Sequence, residues 1–283
     1  MFDRLSRSWD LVKASASVLM QDKELLVFPL ISSAALLLVV ACFALPVIGL
    51  GALDGLSHGA DKKVSAGLYV VAFLFYFTQY LVIFFFNAAL VGAAMIRLDG
   101  GDPTLSDGMR IATSRLGAIA GYAFIAATVG MILRAIQERV GFIGKIIVGL
   151  LGVGWTIATY LVVPVLVARD VGPIDAIKES ASLLKDTWGE NVIGQAGLGA
   201  AFGFIFIGVI LCGAFLIGVA ALTHSAFLII VAAVVTVLAV VITVLVQSAL
   251  AGIYAAALYR YATTGEGTQS FSSNAMQQAF APK

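Results

Sequence analysis

The sequence predicts an all-α integral membrane protein with six transmembrane helices, built as three repeats of an amphipathic interfacial helix followed by a transmembrane hairpin. Three observations lead there. Hydrophobic residues make up 61% of the 283 residues and charged residues only 12%, more apolar surface than a soluble domain of this length can bury. The apolar residues fall into six runs, each long enough to cross a hydrocarbon core of about 30 Å, which takes about 20 residues at helical rise. Three short stretches repeat one pattern: DLVKASASVL (Asp10 to Leu19), DGMRIATSRL (Asp107 to Leu116) and DAIKESASLL (Asp175 to Leu184).

The first element is amphipathic. From Arg4 to Met20, Leu5, Trp9, Val12, Ala16 and Leu19 recur at intervals of three and four, opposite Arg7, Asp10, Lys13 and Ser17. Such a helix is too charged to cross a bilayer, and it either lies in the headgroup plane or packs on the ends of the bundle. Four basic and four acidic side chains among the first 24 residues leave no apolar core for a cleavable secretory signal.

Span one runs from Leu25 to about Leu53, followed by a polar loop with Asp54, His58, Asp61, Lys62 and Lys63. Span two runs from Ser65 to Ile96 and carries the aromatic block FLFYFTQYLVIFFF, read as lipid-facing bulk and packing, with Gln79 and Asn87 as polar exceptions. Asp102 before Pro103 reads as an N-cap with proline at the first helical position, which opens the second repeat helix. Span three covers Leu116 to about Leu133. Arg134 and Glu138 are spaced for an ion pair on a helix that continues beyond it. Span four covers Ile146 to Ala168. Gly172 and Pro173 open the third repeat helix, whose apolar stripe is Ile174, Ile177, Ala181, Leu184 and Trp188. Spans five (Asn191 to about Ala221) and six (Ala226 to about Leu258) are joined by a tight turn at Thr223, His224 and Ser225. The expected organisation is one polytopic domain, 1–262, with repeats at about 1–98, 99–170 and 171–262. A flexible cytoplasmic tail, 263–283, is rich in Ser, Thr, Gln and Gly and has little to bury.

Charge sets the expected orientation. Twelve of the 17 Lys and Arg residues fall on the side of the N-terminus and five (Lys62, Lys63, Arg134, Arg139 and Lys145) on the other. The positive-inside rule then places both termini and all three repeat helices in the cytoplasm. Each repeat contains an even number of spans, so the copies share one orientation about an axis along the membrane normal. Within each copy the Asp, the basic residue three later and the Ser seven later share a stripe: Asp10, Lys13 and Ser17; Asp107, Arg110 and Ser114; Asp175, Lys178 and Ser182. The stripes either form a polar ring at a cytoplasmic mouth or present a solvated surface with local ion pairs. The pairs Gly117/Gly121 and Gly199/Gly203 are spaced for close helix approach.

The layout of three amphipathic helices each followed by a hairpin, with SWDLVKASASVLMQDKELLVFPLI in the first copy and DTWGENVIG closing the third helix, resembles a group of bacterial six-span inner-membrane proteins. That group is distantly similar to the membrane domain attached to some glycerophosphodiester phosphodiesterases. The resemblance covers most of residues 4 to 262 and implies a fold and a location in the bacterial inner membrane. It implies no catalytic residues, because the soluble phosphodiesterase domain is absent from this chain.

Chemistry-bearing patterns are few. His58 and His224 sit in loops without a Cys or His at ligand spacing, so no metal site is expected. Gly149 to Gly154 lacks the Lys and Ser or Thr of a phosphate loop, and no serine stands in a nucleophile elbow. Cys42 and Cys212 lie in apolar runs and are expected to stay free. A net charge of +1 with scattered basic residues argues against nucleic acid. The reading is therefore no enzyme, no cofactor, and membrane lipids as partners, with a protein partner or homo-oligomer left open. Three functions remain in order: a structural, accessory or lipid-associated scaffold, a passive transporter or channel, and, well behind these, a membrane-embedded enzyme. The residues for the second are the intramembrane polar side chains Gln79, Asn87, Thr128, Thr156, Thr159, Gln195, Gln247 and Ser248. A proton-coupled pump would show an intramembrane Asp, Glu or His, and no such residue stands well inside a span.

Overall fold

The computed structural model describes residues 2–49, 66–185 and 188–265, with side chains except those of 2–11, 46–49, 66, 68 and 188–201. Helix is the only regular structure among the described residues. Six helical stretches are long and apolar enough to cross a membrane: Lys23–Leu45, Tyr69–Leu98, Leu116–Arg139, Phe142–Ala168, Phe202–Leu222 and Ala226–Thr264. The chain is a membrane protein by that measure. The polar loop after span one and the tail after Gly265 lie outside the described residues.

The chain divides into two compact units, one of residues 1–26, 94–103 and 185–283, the other of residues 27–93 and 104–184. In the first unit, α1 (Phe2–Gln21) ends at Asp22, whose carbonyl accepts from the Leu25 N–H and starts a single 3-10 turn, Lys23–Leu26. Helices α9 (Trp188–Leu222) and α10 (Ala226–Thr264) form an antiparallel hairpin, and α1 lies against both. The α9–α10 contact is close because a β-carbon on Gly213 would come within 2.2 Å of Thr236 Cγ2. Gly265 closes α10 in the left-handed conformation, with its N–H donating to the Tyr261 carbonyl.

In the second unit, α2 (Val27–Gly49) packs on α3 (Ala66–Leu98) through Phe43 and Phe75, edge to face at 5.4 Å. Helix α3 belongs to this unit as far as Ala93. Its aromatic block meets α5 (Leu116–Arg139) through Phe73 and Phe77 on Phe124, and through Phe84 stacked on Tyr122 at 4.5 Å. The aromatic run therefore does packing work between helices, as expected. α5 continues past the apolar run to Arg139, and Arg134 Nε reaches Glu138 Oε1 at 3.1 Å, the pair that the spacing predicts.

Three local expectations are corrected. The second repeat helix, α4 (Leu105–Ser114), is capped by Thr104 rather than Asp102. Thr104 Oγ1 accepts from the Asp107 N–H at 3.2 Å while the Asp107 carboxylate accepts from the Thr104 N–H at 3.1 Å, a capping box that Asp102 does not supply. Asp102 accepts from Arg97 instead. Span four is not one helix: α6 (Phe142–Ala158) and α7 (Val162–Ala168) are separated at Thr159–Leu161, ahead of Pro164, which has no N–H to continue the ladder. The third repeat helix, α8 (Pro173–Lys185), buries its predicted stripe only in part: Leu184 is buried as expected, Ile177 and Ala181 are half-buried, and the Trp188 side chain lies outside the described residues. Ala176, Ser180 and Leu184 are buried, while Ile174 is 59% exposed. Close docking selects small side chains, so Ala176 and Ser180 outcompete the larger Ile174 for the inner face.

The glycine expectations divide the same way. A β-carbon on Gly121 would meet Pro173 Cγ at 2.9 Å, but Gly117, Gly203, Gly149 and Gly154 face open space. Gly108 is the tight one: a β-carbon there would lie 2.5 Å from Phe28 Cζ and 2.7 Å from the Ala89 carbonyl oxygen.

Candidate functional site

The most continuous burial lies at the C-terminal ends of the second helix of each hairpin. Ala88–Ala94 on α3, Leu161–Leu166 at the start of α7 and Gly252–Tyr259 on α10 are buried without interruption. Each run leads to an arginine: Arg97, Arg169 and Arg260. A repeat helix docks near two of these runs within the second unit and one within the first. The α4 residues Gly108 and Ile111 lie against Ala89 and Gly92 of α3. The α8 residue Ser180 reaches the α6–α7 break, accepting from the Leu161 N–H at 3.1 Å and donating to the Ala158 carbonyl at 2.7 Å. α1 packs on α10.

The arginines are all paired. Arg97 Nη2 donates to Asp22 Oδ2 at 3.2 Å and to Asp102 Oδ1 at 2.7 Å. Asp22 is only 6% exposed, so Arg97 supplies the countercharge that a buried carboxylate requires. Arg169 Nη1 donates to Glu179 Oε1 at 2.7 Å, tying the end of α7 to α8. Arg260 donates to the Leu98 carbonyl at 2.7 Å and to Asp99. Arg115, at the one-residue joint between α4 and α5, pairs with Asp170. Arg97, Arg169 and Arg260 were not singled out from the sequence, although an Arg follows within three residues of the end of all three buried runs.

The repeat-helix stripe lies on the surface where its side chains are described. Arg110 Nη2 meets Asp107 Oδ1 at 3.0 Å and Lys178 Nζ meets Asp175 Oδ1 at 3.3 Å, with the basic side chains 77% and 72% exposed. Ser17 and Ser114 donate to carbonyls three residues back, Ala14 and Ile111, and Ser182 is exposed. Lys13 is exposed; the Asp10 side chain lies outside the described residues. The Thr104 hydroxyl and N–H, donating to the Asp107 carboxylate, hold that group below the ordinary carboxylate range, and Arg110 acts in the same direction.

The intramembrane polar residues do not form a described cluster. Thr128, Thr156 and Thr159 each donate to the carbonyl four residues back: Phe124, Gly152 and Trp155. The same bond is made by Ser33, Thr78, Thr236 and Thr243. Gln79, Asn87 and Gln247 are half-buried, Ser248 is exposed, and the Gln195 side chain lies outside the described residues. Among the described residues, no three His, Cys, Asp or Glu side chains gather in a metal-binding group. Cys42 and Cys212 are free thiols.

Residues 66–269, well over half of the chain, match the model of a family of unknown function, DUF6159. The chain belongs to DUF6159. The match takes in α3 to α10, and so all three buried helix ends and their arginines, together with the capping box of α4 and the Ser180 bridge. A comparison with curated proteins finds no match for this DUF6159 chain. Neither finding links it to glycerophosphodiester phosphodiesterases, so no activity is carried over from that resemblance.

Proposed function

We propose that this DUF6159 protein is a lipid-associated scaffold of the bacterial inner membrane, with both termini in the cytoplasm and no enzymatic activity of its own. One observation carries the reading against a transport pathway. Every Ser or Thr hydroxyl within a span for which a donated bond is described gives it to its own helix backbone, which leaves it turned along the helix rather than toward a permeating solute.

The three-repeat organisation belongs to the same proposal. It is supported by the docking order, in which α4 meets the end of α3, α8 meets the α6–α7 break and α1 meets α10. α4 and α8 thus each sit on the second span of the hairpin before them, and α1 lies against both helices of the last hairpin. The cytoplasmic assignment is supported by the excess of basic residues on that side.

Two experiments test these statements. A reporter active only outside the cytoplasm should light up when fused after Lys145 and stay dark after Asp102 or Lys283; the reverse pattern overturns the orientation. Protein reconstituted in phosphatidylethanolamine–phosphatidylglycerol vesicles should leave both fluorescent-lipid flip and glycerol-driven swelling at protein-free rates. A rise in either rate that Gln79→Leu or Gln247→Leu abolishes replaces the scaffold with a passive pathway.

A further inference from the structure

Ser180 and Ser15 stand at the same place in their repeats, five residues after Asp175 and Asp10, and both are fully buried. Their hydroxyls differ. Ser180 bridges a broken helix, satisfying one orphan carbonyl, Ala158, and one orphan N–H, Leu161. The Ser15 hydroxyl is buried without a hydrogen-bond partner, an arrangement that costs about 1–3 kcal/mol for a neutral group. The second copy carries Ala112 at this position, also fully buried and with nothing to satisfy.

The helix ends that these residues serve differ in parallel. Counting back from Arg169, the break falls at Thr159–Leu161, with Pro164 five residues before the arginine. Counting back equally from Arg260 places Ala249 at the position of Ala158, Gly252 at that of Leu161 and Ala255 at that of Pro164. α10 runs unbroken through this segment, yet has a glycine where α6 and α7 part. Glycine in a helix interior weakens it by about 1 kcal/mol relative to alanine. α3 has neither the hydroxyl opposite nor a break, although Gly92 stands at the position of Pro164.

We infer that α10 is a two-state helix: it opens at Ala249–Gly252, and Ser15 then takes the Ala249 carbonyl and the Gly252 N–H as Ser180 takes those of Ala158 and Leu161. The inference rests on the three-repeat reading. The unbroken helix leaves the hydroxyl of Ser15 unsatisfied, and the open one would leave two backbone groups unsatisfied without it. The half-helix from Ile253 to Thr264, which carries Arg260 and its bonds to Leu98 and Asp99, is the part that moves. The device gives the cytoplasmic end of the last hairpin a switch that the end of α3 lacks.

Hydrogen exchange on the full chain in nanodiscs tests the opening. The Gly252–Ala256 amides should exchange about tenfold faster than the Gly92–Ile96 amides. Ser15→Ala should slow the first set toward the second without changing the second. Equal rates in the wild type, or a Ser15→Ala effect spread evenly over both segments, overturns the hinge. Ala255→Pro gives a second test: it should fold in the wild type and fail with Ser15→Ala, and the reverse ranking rejects the proposal. The register is tested separately by a disulfide between Ser15→Cys and Gly252→Cys, with Cys42 and Cys212 changed to Ala. Cross-linking with flat exchange would reject the hinge and retain the repeats, whereas failure to cross-link rejects the repeat register itself.

Discussion

The two ends of α10 follow different rules. From Ala226 to Ser248 no residue is buried, and Phe227, Ile230, Val237 and Ile242 are between 59% and 73% exposed. From Gly252 to Tyr259 every residue is buried. Both segments are apolar, so composition does not separate them. The first is dominated by Val, Ile and Leu and has no described ion pair; the second joins Ala, Gly and Leu with the buried Ile253, Tyr254 and Tyr259 and is followed by Arg260. The difference teaches where association energy comes from. In lipid an exposed Ile loses nothing, because hydrocarbon tails are as apolar as a neighbouring helix. Packing all round a helix requires fitted contacts and polar locks, and those are concentrated at the ends of α3 and α10, where small side chains are common, and along Leu161–Leu166 at the start of α7, where the buried residues are Leu, Val and Pro.

That contrast ranks the effects of substitution. The largest should come from Arg97→Ala, which leaves the buried Asp22 carboxylate without its partner. A loss on the order of 3 kcal/mol is expected in reversible unfolding in mixed micelles, and Arg97→Lys should recover part of it. A loss below 0.5 kcal/mol would show that the contact is not a lock. Next is Gly108→Ala, whose new methyl group meets the Ala89 carbonyl oxygen and Phe28. It should destabilise by about 1–3 kcal/mol, whereas Gly154→Ala, in open space, should be neutral or stabilising through higher helix propensity. Reversal of those two would remove the distinction between the regions.

Leu238→Ala, on the exposed half of α10, should change stability by less than about 0.5 kcal/mol in the same assay. A loss comparable to that of Gly108→Ala would show that another protein surface covers this face.

The smallest effect is at the capping box of α4. Asp107 has a lowered pKa, so its contribution is fully present above the ordinary carboxylate value and disappears as pH falls through the lowered one. The difference in stability between wild type and Asp107→Asn should therefore shrink on acidification. A difference that stays constant with pH would place the cap's contribution in helix propensity alone.

Much of the architecture was legible from the chain. Long uncharged runs mark helices in lipid because no other structure satisfies an isolated backbone there, and all six runs do fall on helices. The Arg134–Glu138 pair followed from helical spacing. The N-cap of α4 was misplaced by two residues: Asp102 and Thr104 are both good caps, but Thr104 has Asp107 three residues on to complete a capping box, whereas Asp102 has Leu105 there and pairs with Arg97. The buried face of α8 was read only in part, with Leu184 right and Ile174 wrong, because hydrophobic periodicity rewards the largest apolar residues, while close docking rewards Ala176 and Ser180.

What the sequence determined by itself is the solvent of the apolar runs, which at this length belong in lipid. The tertiary structure decided which apolar segments are enclosed and which polar atoms find partners. Those choices depend on helices that meet from distant parts of the chain, as Asp22 with Arg97 and Ser180 with Ala158 do, and hydropathy along a single helix does not encode the shape of the surface it will meet.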